Sequence, residues 1–72
     1  GDLRNAEKCF SEAVRIKPNY AQAYSKLGFI SAQQGDYKSA MRLFSKALEI
    51  NPRLADAQRG FRKMTRLTGK GE

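Results

Sequence analysis

Four stretches of this chain space their apolar residues three and four positions apart, which gathers side chains on one face of an α-helix. The first runs from about Leu3 to Lys17 and carries Leu3, Ala6, Phe10, Ala13, Val14 and Ile16. The second runs from about Tyr20 to Gln34, with Ala23, Tyr24, Leu27, Ile30 and Ser31 on its stripe. The third, from about Tyr37 to Ile50, has Ala40, Leu43, Phe44, Ala47 and Leu48 at i, i+3, i+4, i+7 and i+8. The fourth, from about Leu54 to Leu67, has Leu54, Ala57, Phe61, Met64 and Thr68.

The residues between these stretches are helix punctuation. Asp2 and Asp36 each precede a helix and can accept the backbone N–H bonds that its first turn leaves unmade. Pro18 and Pro52 end the first and third helices, because proline has no N–H donor and disfavours a helical residue before it. Gly35 and Gly69 supply the left-handed residue that closes the second and fourth. Gly28 lies inside the second helix, at a cost of about 1 kcal/mol relative to alanine. A close neighbouring helix accounts for it better than flexibility does. The links are short, so consecutive helices should pack as antiparallel hairpins in an all-α fold of four helices.

The pattern also repeats at a spacing of 34 residues. Gly1-Asp2 returns as Gly35-Asp36, Ala6 as Ala40, Phe10 as Phe44, Ser11 as Ser45, Ala13 as Ala47, Ile16 as Ile50 and Pro18 as Pro52. Ala21 and Ala23 return as Ala55 and Ala57, and Gly35 as Gly69. Stacked units of this length work far more often as binding surfaces than as catalysts.

Composition narrows this further. Seventy-two residues make one small domain with a limited core. Cys9 is the single cysteine and the chain has no histidine, so neither an internal disulfide nor a zinc site is expected. Asp2, Glu7, Glu12, Asp36, Glu49 and Asp56 are capping or scattered carboxylates; no nucleophile–base pair, phosphate loop or metal constellation accompanies them, so no catalysis and no cofactor are expected. No apolar run approaches membrane-spanning length and no signal peptide is visible, which points to a cytoplasmic protein.

The net charge of +7 is uneven. Residues 1–20 carry four basic and three acidic groups, and residues 21–52 carry four and two. Residues 53–72 carry Arg53, Arg59, Arg62, Lys63, Arg66 and Lys70 against Asp56 and Glu72. A solvated helix face is the plain account of this cluster, and an acidic protein partner is the functional one. RNA or an anionic surface is a weaker alternative, since no aromatic side chain is interleaved with these residues for base stacking.

Residues 21–54 resemble one complete tetratricopeptide repeat (TPR). Taking Ala21 as its first position, Tyr24 falls on the family's large aromatic, Leu27-Gly28 on its Leu-Gly pair, Ala40 on its small residue and Phe44 on its second aromatic. Ala47 and Pro52 complete the motif, and Ser31 departs from the usual tyrosine. Residues 1–20 resemble the second half of a preceding repeat. Residues 55–68 resemble a terminal solvating helix, with Gln58 in place of the aromatic and Arg62 in place of the glycine, followed by a frayed tail at 69–72.

The resemblance implies a TPR-type α-solenoid whose concave groove holds a peptide. Matched residue by residue, that groove would be lined by Gln22, Ser25, Lys26, Phe29, Ala32 and Gln33 of the second helix, and by Asp56, Arg59, Lys63 and Arg66 of the fourth. Phe29 stands off its helix's apolar stripe. It is expected either to anchor a ligand in the groove or to cover the final helix. The lysine, asparagine and arginine with which some members grip a peptide's terminal carboxylate are missing here: Ser25, Lys26, Phe29, Asp56 and Gly60 stand at those places.

The phase of the repeat leaves the first helix without a hairpin partner inside these 72 residues. Leu3, Ala6, Phe10 and Ala13 exceed what one following hairpin can cover. They are expected to meet either the rest of a longer repeat array or a second copy of the chain. The sequence thus points to a protein–protein interaction module that binds a partner through its groove, or alternatively to a scaffold that self-associates through its first helix.

Overall fold

The computed structural model describes the backbone of residues 2–68 and the side chains of residues 4–68. Four helices follow one another: α1 (Asp2–Ile16), α2 (Ala21–Gln33), α3 (Tyr37–Ile50) and α4 (Ala55–Leu67). Each lies within a residue of the boundaries that punctuation and periodicity predict. Adjacent helices pack together as antiparallel hairpins, and α2 also touches α4.

The caps form as the sequence requires, with one exception. Asp36 accepts a hydrogen bond from the Ser39 N–H at 3.2 Å and opens α3. Gly35 takes φ +84°, and the Asp36 N–H donates to the Ser31 carbonyl at 2.9 Å, which closes the end of α2. Between α3 and α4, the Arg53 N–H donates to Asn51 Oδ1 at 3.1 Å, and the Gln58 side chain donates to the Pro52 carbonyl at 2.7 Å. Asp2, expected to stand before the first helix as its cap, is instead its first residue. The expected cap at Gly69, the tail 69–72 and the Leu3 side chain lie outside the described residues.

α2 is the central element, packed by α1, α3 and α4. Ala21, Ala23, Ser25, Leu27, Gly28 and Ile30 are therefore all buried, more of the helix surface than its apolar stripe indicates. The core is completed by Ala40, Phe44 and Ala47 of α3 and by Ala57 and Met64 of α4. Phe44 is its pivot. Its ring is fully buried, and a Cβ built at either Gly28 or Gly60 would come within 3.0 Å of three of its ring carbons. Two helices thus close on one aromatic ring because each presents a glycine to it. Gly28 is the glycine that the repeat pattern marks. Gly60 is not: it sits two residues before Arg62, the position at which the repeat would place its counterpart.

Candidate functional site

A cleft opens between α2 and α4. It is lined by Phe29, Ala32 and Gln33 of α2, Tyr37 at the start of α3, and Lys63, Met64 and Leu67 of α4. Its volume of about 490 Å³ is that of a few large side chains, within the range of ligand-binding clefts.

Phe29 shapes this cleft. Its ring and that of Phe44 pack edge-to-face, with centroids 4.9 Å apart and planes at 74°, the arrangement that sets one ring's positive edge against the other's negative face. The contact holds Phe29 from one side. The other side stays open, and the residue is 38% exposed. Phe29 therefore packs on Phe44 of α3 and also lines the cleft beside α4. Tyr37 and Leu67, also exposed, extend the apolar lining. Lys63 is exposed and supplies a cation to it.

Of the residues assigned to a groove, the cleft brings together Phe29, Ala32, Gln33 and Lys63. Gln22, Lys26 and Arg59 are exposed but do not line it. Asp56 is half-buried. Ser25, expected on the groove, is only 1% exposed, and its hydroxyl has no hydrogen-bond partner among the described residues. It is a core position, because helices pack on α2 from more than one side. Arg66, also expected on the groove, lines a different one, between α3 and α4, with Arg62. Tyr37, Met64 and Leu67 join the cleft without having been singled out. Met64 falls on the core stripe and Tyr37 at a helix start, and the packing of α3 and α4 on α2 brings them beside Phe29.

On α1, Ala6, Phe10 and Ala13 are half-buried, whereas their counterparts Ala40, Phe44 and Ala47 are fully buried. Ile16 is 76% exposed, although Ile50 at the same repeat position is half-buried against the core. The two helices carry the same face, but among the described residues α1 packs on α2 alone and α3 packs on both α2 and α4.

Among the described residues, no group of His, Cys, Asp and Glu could hold a metal ion, and no helix is long and apolar enough to cross a membrane. Cys9 is exposed. Comparison with protein families gives two matches: residues 21–54 match a model described as tetratricopeptide repeat, and residues 1–35 match one described as TPR repeat. No curated protein matches the chain.

Proposed function

The chain belongs to the tetratricopeptide repeat family of non-enzymatic repeat modules, which generally mediate protein–protein interaction, and on that premise we propose that the α2–α4 cleft holds a peptide segment of a protein partner. The observation that carries this reading is Phe29, fixed by Phe44 on one side and open on the other. An aromatic ring already held in place loses little conformational freedom on binding, so contact with an apolar ligand side chain is gained at low entropic cost. Lys63 on the facing helix suits a carboxylate beside that apolar anchor. The partner segment is thus one with a single large apolar residue flanked by Asp or Glu. The missing carboxylate-clamp residues favour an internal segment over a chain terminus.

The test is fluorescence anisotropy with short labelled peptides that carry one leucine or phenylalanine flanked by either acidic or basic residues. The acidic set should bind at least about tenfold tighter, and both Phe29→Ala and Lys63→Glu should weaken it. Equal binding of the two sets, or indifference to both substitutions, would reject this site.

A second reading rests on α1. The half-exposed Phe10 and the exposed Ile16 leave an apolar face that a second copy could cover. Phe10→Asp would then dissociate an oligomer seen by sedimentation equilibrium without loss of helicity. A chain that stays monomeric at high concentration excludes this reading.

A further inference from the structure

The basic residues of α4 do not form one surface. Lys63 faces α2, while Arg62 and Arg66 rim a groove on the opposite side, whose apolar floor is Leu48, Pro52 and Phe61. Leu48 and Phe61 are half-buried and pack on the core cluster, so this floor is the outer surface of the core. The groove has a volume of about 660 Å³, larger than the cleft beside Phe29. Both arginines are exposed, and among the described residues neither makes an ion pair: the two found are Arg15–Glu12 and Lys46–Glu49.

From this we infer that the α3–α4 groove is a second docking surface, for an amphipathic helix of a partner protein with carboxylates one turn apart along the edge of its apolar stripe. The spacing follows from helix geometry. Arg62 and Arg66 are four residues apart on one helix, about 6 Å in rise. A helix laid alongside α4 offers the same interval at its own i and i+4, so Glu or Asp at those positions meets both guanidinium groups together. The planar guanidinium can take each carboxylate through two parallel hydrogen bonds, which fixes register as well as strength. The apolar stripe between them covers Leu48, Pro52 and Phe61.

A second copy is the wrong occupant in the register of the repeat. α1 is the counterpart of α3, so its Phe10 would approach Arg62 as Phe44 approaches Gly28. Where Gly28 leaves room for the Phe44 ring, Arg62 carries a long charged side chain. That position is closed to an apolar ring but open to an acid.

The experiment uses the 72-residue chain and two synthetic helical peptides. Both carry leucines at i, i+3 and i+7; one carries glutamates at i+4 and i+8 along the edge of that stripe, and the other carries lysines there. By fluorescence anisotropy the glutamate peptide should bind at least about tenfold tighter, and the Arg62→Glu/Arg66→Glu chain should reverse that order. Both substitutions are at exposed positions, and circular dichroism verifies the fold. If that variant unfolds, Arg62→Gln/Arg66→Gln should instead flatten the salt dependence of glutamate-peptide binding. Four results would overturn the inference. One is equal binding of both peptides. Another is loss of binding through Phe29→Ala and Lys63→Glu but not through the arginine changes. A third is self-association abolished by the arginine changes, which gives the groove to a second copy. The last is binding of an oligouridine strand or phosphatidylserine vesicles as tight as that of the glutamate peptide, which marks the arginines as a general anion surface.

Discussion

The Phe44 ring occupies the space that a side chain on Gly60 would need. The same ring lies against Gly28 on α2 and packs edge-to-face with Phe29, so it has neighbours on three sides. Gly60→Ala should therefore destabilise the chain even though alanine is the better helix former by about 1 kcal/mol. Overpacking of this kind typically costs about 1–3 kcal/mol, and we expect a net loss in that range from urea denaturation followed by circular dichroism. Gly28→Ala should act in the same direction and less strongly, since its built Cβ sits slightly farther from the ring. A neutral or stabilising Gly60→Ala would show that the ring has somewhere else to go.

Ser25 offers the opposite sign. Its hydroxyl is buried and unpartnered among the described residues, and a buried polar group without a hydrogen bond costs about 1–3 kcal/mol. Ser25→Ala removes that cost, leaves almost the same shape and adds helix propensity. It should raise the urea midpoint. A lowered midpoint would mean that the hydroxyl has a partner in solution, such as a bound water.

The turn between α2 and α3 should be sensitive at two points for different reasons. Asp36→Ala removes the side-chain cap to Ser39 and should cost about 0.5–2 kcal/mol. Gly35→Ala places a side chain at φ +84°, in the left-handed region, and should cost about 1 kcal/mol although nothing stands near its Cβ. Asp36→Asn should recover most of the first loss, because its side chain still accepts the Ser39 N–H. Thermal melts of the three variants separate capping from backbone strain.

Phe29 and Lys63 line the same cleft and should respond differently. Phe29→Ala loses the edge contact with Phe44 as well as the open ring face, and should lower stability by about 1–3 kcal/mol. Lys63→Glu changes an exposed side chain and should leave the melting temperature nearly unchanged while weakening acidic peptides. If Lys63→Glu lowers stability as much as Phe29→Ala does, the lysine is part of the packing rather than a free contact.

The sequence was most legible where the physics is local. Apolar spacing, the caps at Asp36 and Gly35, and the stops at Pro18 and Pro52 depend on residues within a turn or two, and they located four helices to within a residue. The 34-residue echo then showed that α1 and α3 carry equivalent faces and that the helices stack as repeated hairpins. What remained illegible was every property that depends on how one helix packs against another. Ser25 matched a groove position but is buried, since α2 is packed from several sides. Arg66 matched the same groove but lines the other one, since α4 turns it toward α3. Gly60 carried no mark in the repeat, yet α4 approaches Phe44 through it.

Phe10 and Phe44 put the division most simply. By sequence they are one position, with the same flanking serine and the same alanines four residues before and three after. In the fold, Phe44 is sealed between two glycines while Phe10 is half-exposed. The sequence by itself determined which face of each helix is apolar, because that follows from a period of 3.6 residues along one segment. Only the tertiary structure decided which of those faces are covered and which stay open, because burial belongs to the helices on both sides of a contact.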